Sequence, residues 1–456
     1  MKIINPATEA LIREVTEDSP ASIDQKFKQA KAAQPAWASL PLNTRVTAIK
    51  KFRELLVTNK ESLAKTLTSE VGKPIAQSRN ELGGVLGRID FFIENAARVL
   101  ADETVFNDSS QGLVERIGHE PLGVIANISA WNYPYLVGSN VFIPALLAGN
   151  TVLYKPSEFA TLTGLAITDL MYEAGVPKDV FVPVIGGGAV GAELLKLSIN
   201  GVFFTGSYAT GLKIAEAAQK KMIKVQLELG GKDPAYVCED VDIKNVAAGL
   251  ADGAFYNNGQ SCCSVERIYV HHEVYDAFVA SFLETVKSFV VGDPTDEKTY
   301  IGSLTRAAQL AILDHQVSDA KQKGAKLLCG GSRISRPGAY FEPTVFSNVN
   351  HTMQLMREES FGPIIGIQSV KTDDEALALM NDSEYGLTTG VYTKDGERAK
   401  KILARANSGS VYWNCCDRVS PRLPWSGRGH SGIGSTLSTY GLLAFVQPKA
   451  WHLKNY

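Results

Sequence analysis

From about residue 110 onward the chain alternates short β-branched runs with helical stretches, and that alternation restricts its fold more than any other feature. The first runs are Gly123 to Ser129, Thr151 to Tyr154, Val180 to Ile185, Val202 to Thr205 and Val225 to Leu227. Strands separated by helix-length segments pair in parallel through crossovers, giving a sheet covered by helices. A second series begins at Pro234-Ala235-Tyr236-Val237. It continues through Arg267 to Val270, Ala325 to Leu328, Ile364 to Val370, Gly390 to Tyr392 and Ser410 to Trp413. The expected class is α/β, with two parallel-sheet units in tandem. No Pro-rich linker or low-complexity tract separates them, so they are expected to pack closely around a cleft.

The first hundred residues read as helical. Ser19-Pro20 is an N-cap followed by Pro at the first helical position, and Ile23, Phe27, Ala30 and Trp37 follow at roughly helical spacing. A second helical stretch is expected from Asn43 towards Gly72. The 456 residues suffice for two or three domains. A composition of 45% apolar and 21% charged residues is that of a globular protein, not a fibrous or disordered one. The net charge of −2 supplies no positive field for nucleic acid or acidic membranes, so a small neutral or mildly charged ligand is expected. The apolar stretch from Val141 to Ala148, with Pro144 inside it, is far too short to span a bilayer. The opening residues lack the apolar region of a secretory signal, and the six cysteines show no C-x-x-C spacing. No metal site, no disulfide framework and a cytoplasmic location are expected.

Several motifs bear on chemistry. Gly186-Gly187-Gly188-Ala189-Val190-Gly191 matches G-x-G-x-x-G, but the only acidic residue near the usual following position is Glu216 on a helical stretch, so the motif alone does not assign a pyrophosphate site. The turn Thr205-Gly206-Ser207 offers backbone N–H groups at a helix start. Cys262, taken singly, reads as a buried small hydrophobe, but the polar stretch Asn257-Asn258-Gly259-Gln260-Ser261 before it shifts the reading towards a nucleophile. Glu228 ends an apolar strand, where a carboxylate is costly unless paired, for instance with Lys232, or functional. The seven histidines, including His271-His272, lack metal spacing and read as structural.

Taken in order, these residues form a constellation. Asn5-Pro6-Ala7-Thr8, Trp131-Asn132-Tyr133-Pro134, Lys155-Pro156-Ser157-Glu158, Phe204-Thr205-Gly206-Ser207, Glu228-Leu229-Gly230-Gly231-Lys232, Gly259-Gln260-Ser261-Cys262 and Glu358-Glu359-Ser360-Phe361-Gly362-Pro363 occur across nearly the whole chain. The sequence resembles the NAD(P)-dependent aldehyde dehydrogenase superfamily. Departures are Ala130 before the Trp, Ser360 for an apolar residue, and Trp425-Ser426-Gly427 for a late Phe-Gly-Gly.

The resemblance implies two tandem Rossmann-like parallel-sheet domains plus a small β-extension for oligomerisation. Residues 1–102 and 122–229 would bind the dinucleotide, 230–435 would form the catalytic domain, and 103–121 with 436–456 would form the extension of a homodimer or homotetramer. It also implies Cys262 as nucleophile, Asn132 as oxyanion donor and Glu228 as the base that activates water. Ser129, Trp131, Lys155, Ser157, Glu158, Gly188, Thr205, Gly206, Ser207, Leu229, Glu359 and Phe361 would hold the cofactor. A carboxylate at position 158 favours NAD, with NADP admitted, because it accepts hydrogen bonds from a ribose and repels a 2′-phosphate. Tyr133, Tyr135, Asn140, Tyr256, Val419 and Trp425 would line the substrate tunnel. Members acting on succinic semialdehyde often carry Arg at the positions of Asn140 and Tyr256, so a neutral aliphatic or aromatic aldehyde is expected here. Arg418 and Arg422 leave an acidic aldehyde as the alternative, and a silent binding protein on the same fold is the alternative from another class. Cys415 and Cys416 read as small buried residues, though their loop, by resemblance near the tunnel mouth, would also allow either to capture an oxidised Cys262.

Overall fold

The computed structural model describes residues 1–455. Its first large sheet orders five parallel strands as Lys224–Glu228, Gly201–Thr205, Val124–Ile128, Thr151–Lys155 and Phe181–Pro183. The short segment Gly432–Ile433 closes the first edge antiparallel, pairing Gly432 with Glu228. Val124–Ile128 and Thr151–Lys155 are buried at every position because helices cover both faces, which explains their near-continuous apolar character.

The second sheet has seven strands, in the order Lys326–Cys329, Thr344–Ser347, Ile364–Val370, Val265–His271, Asp233–Val237, Thr388–Tyr392 and Ser410–Trp413. All pair in parallel except Lys326–Cys329, which runs antiparallel at the edge. The sequence series contains each of these strands but Thr344–Ser347, a run of four buried residues after an irregular, Gly-rich segment. A third sheet, antiparallel throughout, joins Glu103–Asp108, Leu113–Pro121 and Val446–Lys454.

Helices fill the layers between. Ser19 caps the Pro20–Ser39 helix by accepting from the Ser22 N–H at 3.2 Å, with Pro20 in the first turn. The stretch expected from Asn43 to Gly72 is two helices, Leu42–Thr58 and Lys60–Val71, broken at Asn59. Gly72 ends the second at φ 76°, and a Cβ there would lie 2.2 Å from Ser303 Oγ, so both backbone conformation and packing require glycine. The chain then enters the Ile75–Val99 helix, which packs against the Pro134–Leu147 helix and forms one wall of the site. Among the described residues no helix is long and apolar enough to cross a membrane.

Candidate active site

Parallel strands aim their carboxyl ends at one rim of a sheet, where loops are free to carry function. Residues singled out in the sequence follow each of the five parallel strands of the first sheet: Ser129, Lys155, Gly188, Thr205 with Gly206 and Ser207, and Leu229. The second sheet contributes from the opposite side. Glu359 accepts from the Gly231 N–H at 3.1 Å, and Phe361 meets Trp131 edge-on with centroids 5.4 Å apart. A Cβ at Gly230 would stand 2.4 Å from the Glu359 carboxylate, so any larger residue there would have to push that carboxylate aside.

The loop that delivers Cys262 has unusual backbone geometry. Asn257, Asn258 and Gly259 all have positive φ (54°, 58° and 69°), a conformation that Asn tolerates and Gly prefers. Side-chain amides hold the loop in place. Asn257 Nδ2 donates to Gln260 O at 3.1 Å, Asn258 Nδ2 donates to Ser303 O at 2.8 Å, and Asn258 Oδ1 accepts from Gly302 N–H at 2.8 Å. Gln260 Oε1 accepts from Thr305 N–H at 3.0 Å. The polar run before Cys262 is therefore buried scaffolding, not a solvated loop.

Cys262 lines a cavity of about 470 Å³ together with Asn132, Glu228, Tyr133, Asn140, Tyr256, Val419 and Trp425. Asn132 is fixed from two directions. Its Nδ2 donates to Gln260 O at 3.1 Å, which leaves its second N–H for a ligand, and its backbone carbonyl accepts from Lys73 Nζ at 2.6 Å. Lys73 is fully buried, paired with buried Glu81, and sits 3.9 Å from the Tyr133 ring centroid. Glu81 also accepts from the Tyr135 N–H at 2.9 Å, so one buried ion pair organises the whole Asn132 turn.

Glu228 does not pair with Lys232. Its carboxylate accepts from Thr436 Oγ1, from Gln226 Nε2 at 3.2 Å and from Thr205 Oγ1 at 3.4 Å. Burial raises its pKa above the usual carboxylate range, against the lowering effect of these bonds and of Arg88. Lys232 instead pairs with Glu266 at 2.5 Å and donates to Ser360 Oγ at 3.0 Å. Glu266 in turn accepts from the Ser360 N–H at 2.8 Å and the Phe361 N–H at 3.1 Å. Ser360, unusual for its position, thus gives the buried ammonium a second acceptor. The same pair clamps the Glu359–Phe361 loop, and burial together with nearby Glu266 pushes the Glu359 carboxyl up to about 8.

The strand-end cleft suits a dinucleotide. Among the described residues Lys155 Nζ donates only to Pro156 O, at 3.3 Å, and lies 4.0 Å from Glu158, Ser129 Oγ is buried with no partner, and Gly187 and Gly188 face open space. Ser157 Oγ lies 3.4 Å from the Glu158 carboxylate. Thr205, placed with the cofactor residues, also touches Glu228. Among the described residues no His, Cys, Asp and Glu group is arranged to hold a metal.

Two expectations change. Tyr135 does not line the tunnel; it is buried in the core with its hydroxyl donating to Leu63 O at 3.4 Å, because its backbone N–H is tied down to Glu81. Cys415 and Cys416 line an adjoining groove against the Ile243–Phe255 helix, not the cavity itself, although the two share Asp252, Asp417 and Arg418; a Cβ at Gly253 would be 2.4 Å from Cys416 Sγ. Cys263 lines the same cavity as Cys262, and its Sγ donates to Asp417 Oδ1 at 3.0 Å. Neighbouring Cys262 and burial raise the Cys263 pKa well above the ordinary thiol range, and burial pushes Asp417 up to about 6.

Sequence reasoning missed Arg88, Lys73, Glu81 and Glu266. Charged residues inside the apolar pattern of a helix or strand signal burial with a purpose. Arg88 and Glu81 lie on the buried face of the Ile75–Val99 helix, where that signal was available.

Two parallel-sheet units thus bring a thiol, an amide and a carboxylate, Cys262, Asn132 and Glu228, to one cavity beside a strand-end rim. The model of the aldehyde dehydrogenase family matches residues 1–451, and the chain belongs to that family. It is 33% identical over 447 residues to a succinate-semialdehyde dehydrogenase (NADP) of Deinococcus radiodurans, covering 98% of this chain and 93% of the relative. It is 34% identical over 450 residues to a betaine aldehyde dehydrogenase of Cereibacter sphaeroides, covering 98% and 92%. The structure of an NAD-dependent aldehyde dehydrogenase from Sinorhizobium meliloti superposes with a TM-score of 0.96 at 34% identity, covering 100% of this chain and 91% of that one.

Proposed function

We propose that the protein oxidises an aldehyde to its carboxylic acid, with Cys262 as nucleophile and NAD, or alternatively NADP, as hydride acceptor. The observation that carries this reading is the position of Glu228, which lines the Cys262 cavity and is bonded to Thr205 at the dinucleotide rim. The Cys262 thiolate adds to the aldehyde carbon, and the resulting oxyanion is met by Asn132 Nδ2 and a backbone N–H of the Cys262 loop. The nicotinamide cofactor supplies the hydride acceptor that converts this thiohemiacetal to a thioester. Glu228, as carboxylate, then takes a proton from the water that cleaves the thioester, restoring the thiol.

Lys155, Ser157 and Glu158 would hold the adenosine ribose, the Gly188 and Ser207 helix starts would offer N–H groups to the phosphates, and Glu359 with Phe361 would hold the nicotinamide ribose. Half-buried Glu158 supports a preference for NAD, and the adjacent Lys155 ammonium admits NADP. In this assignment residues 1–102 and 122–229 bind the dinucleotide and 230–435 supply the catalytic groups. Residues 103–121 and 436–456 join copies into a homodimer or homotetramer. The six free thiols favour the cytoplasm, and the net charge of −2 gives no reason to invoke nucleic acid or membrane partners.

The test is NADH or NADPH formation at 340 nm with a panel of aldehydes, on the natural protein and on Cys262→Ser. Turnover abolished by the substitution, with cofactor binding retained by fluorescence titration, supports the assignment. Substantial turnover by the variant rejects it, and cofactor binding without turnover in the natural protein identifies a silent relative.

A further inference from the structure

Arg88 stands on the Ile75–Val99 helix, 7% exposed, on the wall of the cavity that holds Cys262. Its Nη1 donates to Asn140 Oδ1 at 2.9 Å, and this is its one hydrogen bond among the described residues. The other cavity carboxylates already have donors. Glu81 has Lys73 and the Tyr135 N–H, Glu228 has three side chains, Asp252 has Tyr300 and Asp417 has Cys263. Arg418, the other cavity cation, is exposed at the mouth. Arg88 is thus a buried guanidinium with no ion-pair partner among the described residues, an arrangement that is costly without a ligand. Because Nη1 is committed to Asn140, the edge left free is Nε with Nη2, the paired-donor edge that matches the two oxygens of a carboxylate. Arg88 is itself one of the residues lining the Cys262 cavity.

We propose that Arg88, positioned by Asn140, determines substrate choice by binding a carboxylate at the far end of the aldehyde, with the rings of Tyr133, Tyr256 and Trp425 covering the spacer. This rests on the dehydrogenase reading above and deepens it. The expectation of a neutral substrate considered only positions 140 and 256; here the guanidinium reaches the same pocket from a different helix.

The experiment measures kcat/KM for matched pairs: succinic semialdehyde with butanal, adipic semialdehyde with hexanal, and 4-carboxybenzaldehyde with benzaldehyde. The proteins are the natural one, Arg88→Met and Arg88→Lys, each checked by its melting temperature. In at least one pair the natural protein should prefer the carboxylate. Arg88→Met should lower the carboxylate-to-neutral ratio by about 10- to 150-fold, as expected for lost charge-assisted hydrogen bonds, chiefly through KM. Arg88→Lys should restore little, since an ammonium lacks the paired edge. No carboxylate preference in any pair overturns the proposal. So does an equal loss for both members of a pair, which marks a structural role, and so does an unchanged ratio with a displaced acid limb, which marks service to Glu228. Absence of turnover with every aldehyde overturns the dehydrogenase reading and this proposal with it. Should Arg88→Met not fold, protection of natural Cys262 from iodoacetamide by adipate but not by its diamide supports the proposal, and equal protection overturns it.

Discussion

Lys73→Met probes the ion pair behind Asn132. Both partners have fully buried side chains, and the ammonium also holds the Asn132 carbonyl at 2.6 Å. Removing the cation leaves the Glu81 charge with the Tyr135 N–H as its remaining hydrogen-bond donor, and breaking a buried pair in this way costs about 3–5 kcal/mol. At an unfolding entropy of about 2.1 cal/mol/K per residue, a chain of this length carries about 1 kcal/mol/K. The expected fall in melting temperature is therefore about 3–5 °C if the chain unfolds cooperatively. Differential scanning calorimetry reads this directly. Lys73→Met with Glu81→Gln should recover part of the loss, because an amide still accepts from Tyr135 without carrying an unpaired charge. Both variants should also lower kcat by loosening Asn132, by less than the roughly 3 kcal/mol that deleting an oxyanion donor costs. A melting temperature within 1 °C of the natural protein, or a double variant less stable than Lys73→Met, refutes the reasoning.

Other outcomes follow from the same geometry. Glu228→Gln should give a pre-steady-state burst of reduced cofactor followed by slow turnover, because the base acts after hydride transfer; loss of the burst assigns it another role. Burial raises the Glu228 pKa and the base works only when ionised, so activity is lost as pH falls through that raised value. The acid limb of the kcat profile should therefore lie above the ordinary carboxylate range, and an ordinary midpoint contradicts the assignment. Cys263→Ser should keep most activity, since a hydroxyl preserves the bond to Asp417, and a collapse equal to that of Cys262→Ser contradicts this. Mild peroxide should inactivate through Cys262 without joining it to Cys415 or Cys416, and mass mapping without reductant that finds such a linked peptide would show the groove and the cavity communicating.

The parallel strands were legible because each is a short apolar run between helical stretches, and the residues at their carboxyl ends were legible because sheet topology sends function there. Thr344–Ser347 escaped because four residues after an irregular loop carry too little periodicity. The proposed trio of Cys262, Asn132 and Glu228, which share one cavity, came from motif order. Its support did not, because Lys73 meets Asn132, and Glu266 meets Ser360, across long sequence separations that only the folded chain closes. Arg88 is the instructive case. Asn140 suggests a pocket without a cation when position 140 is considered alone, yet the guanidinium arrives from the neighbouring helix and uses that very amide as its rest.

The loop before Cys262 also bears on how the protein ages. Asn258-Gly259 is the dipeptide in which a side-chain amide is most readily attacked by the following backbone nitrogen, losing ammonia and leaving a carboxylate. In the folded chain the Asn258 amide is pinned at both ends, to Ser303 O and to the Gly302 N–H, and cannot swing into the path of that attack. Chemical lifetime at this position is therefore set by how often the loop opens. Each conversion would place a negative charge where Nδ2 now donates to a carbonyl, repelling the Ser303 carbonyl and dislodging the loop that carries Cys262. Stored protein should thus lose activity in step with local opening, well before its bulk secondary structure changes.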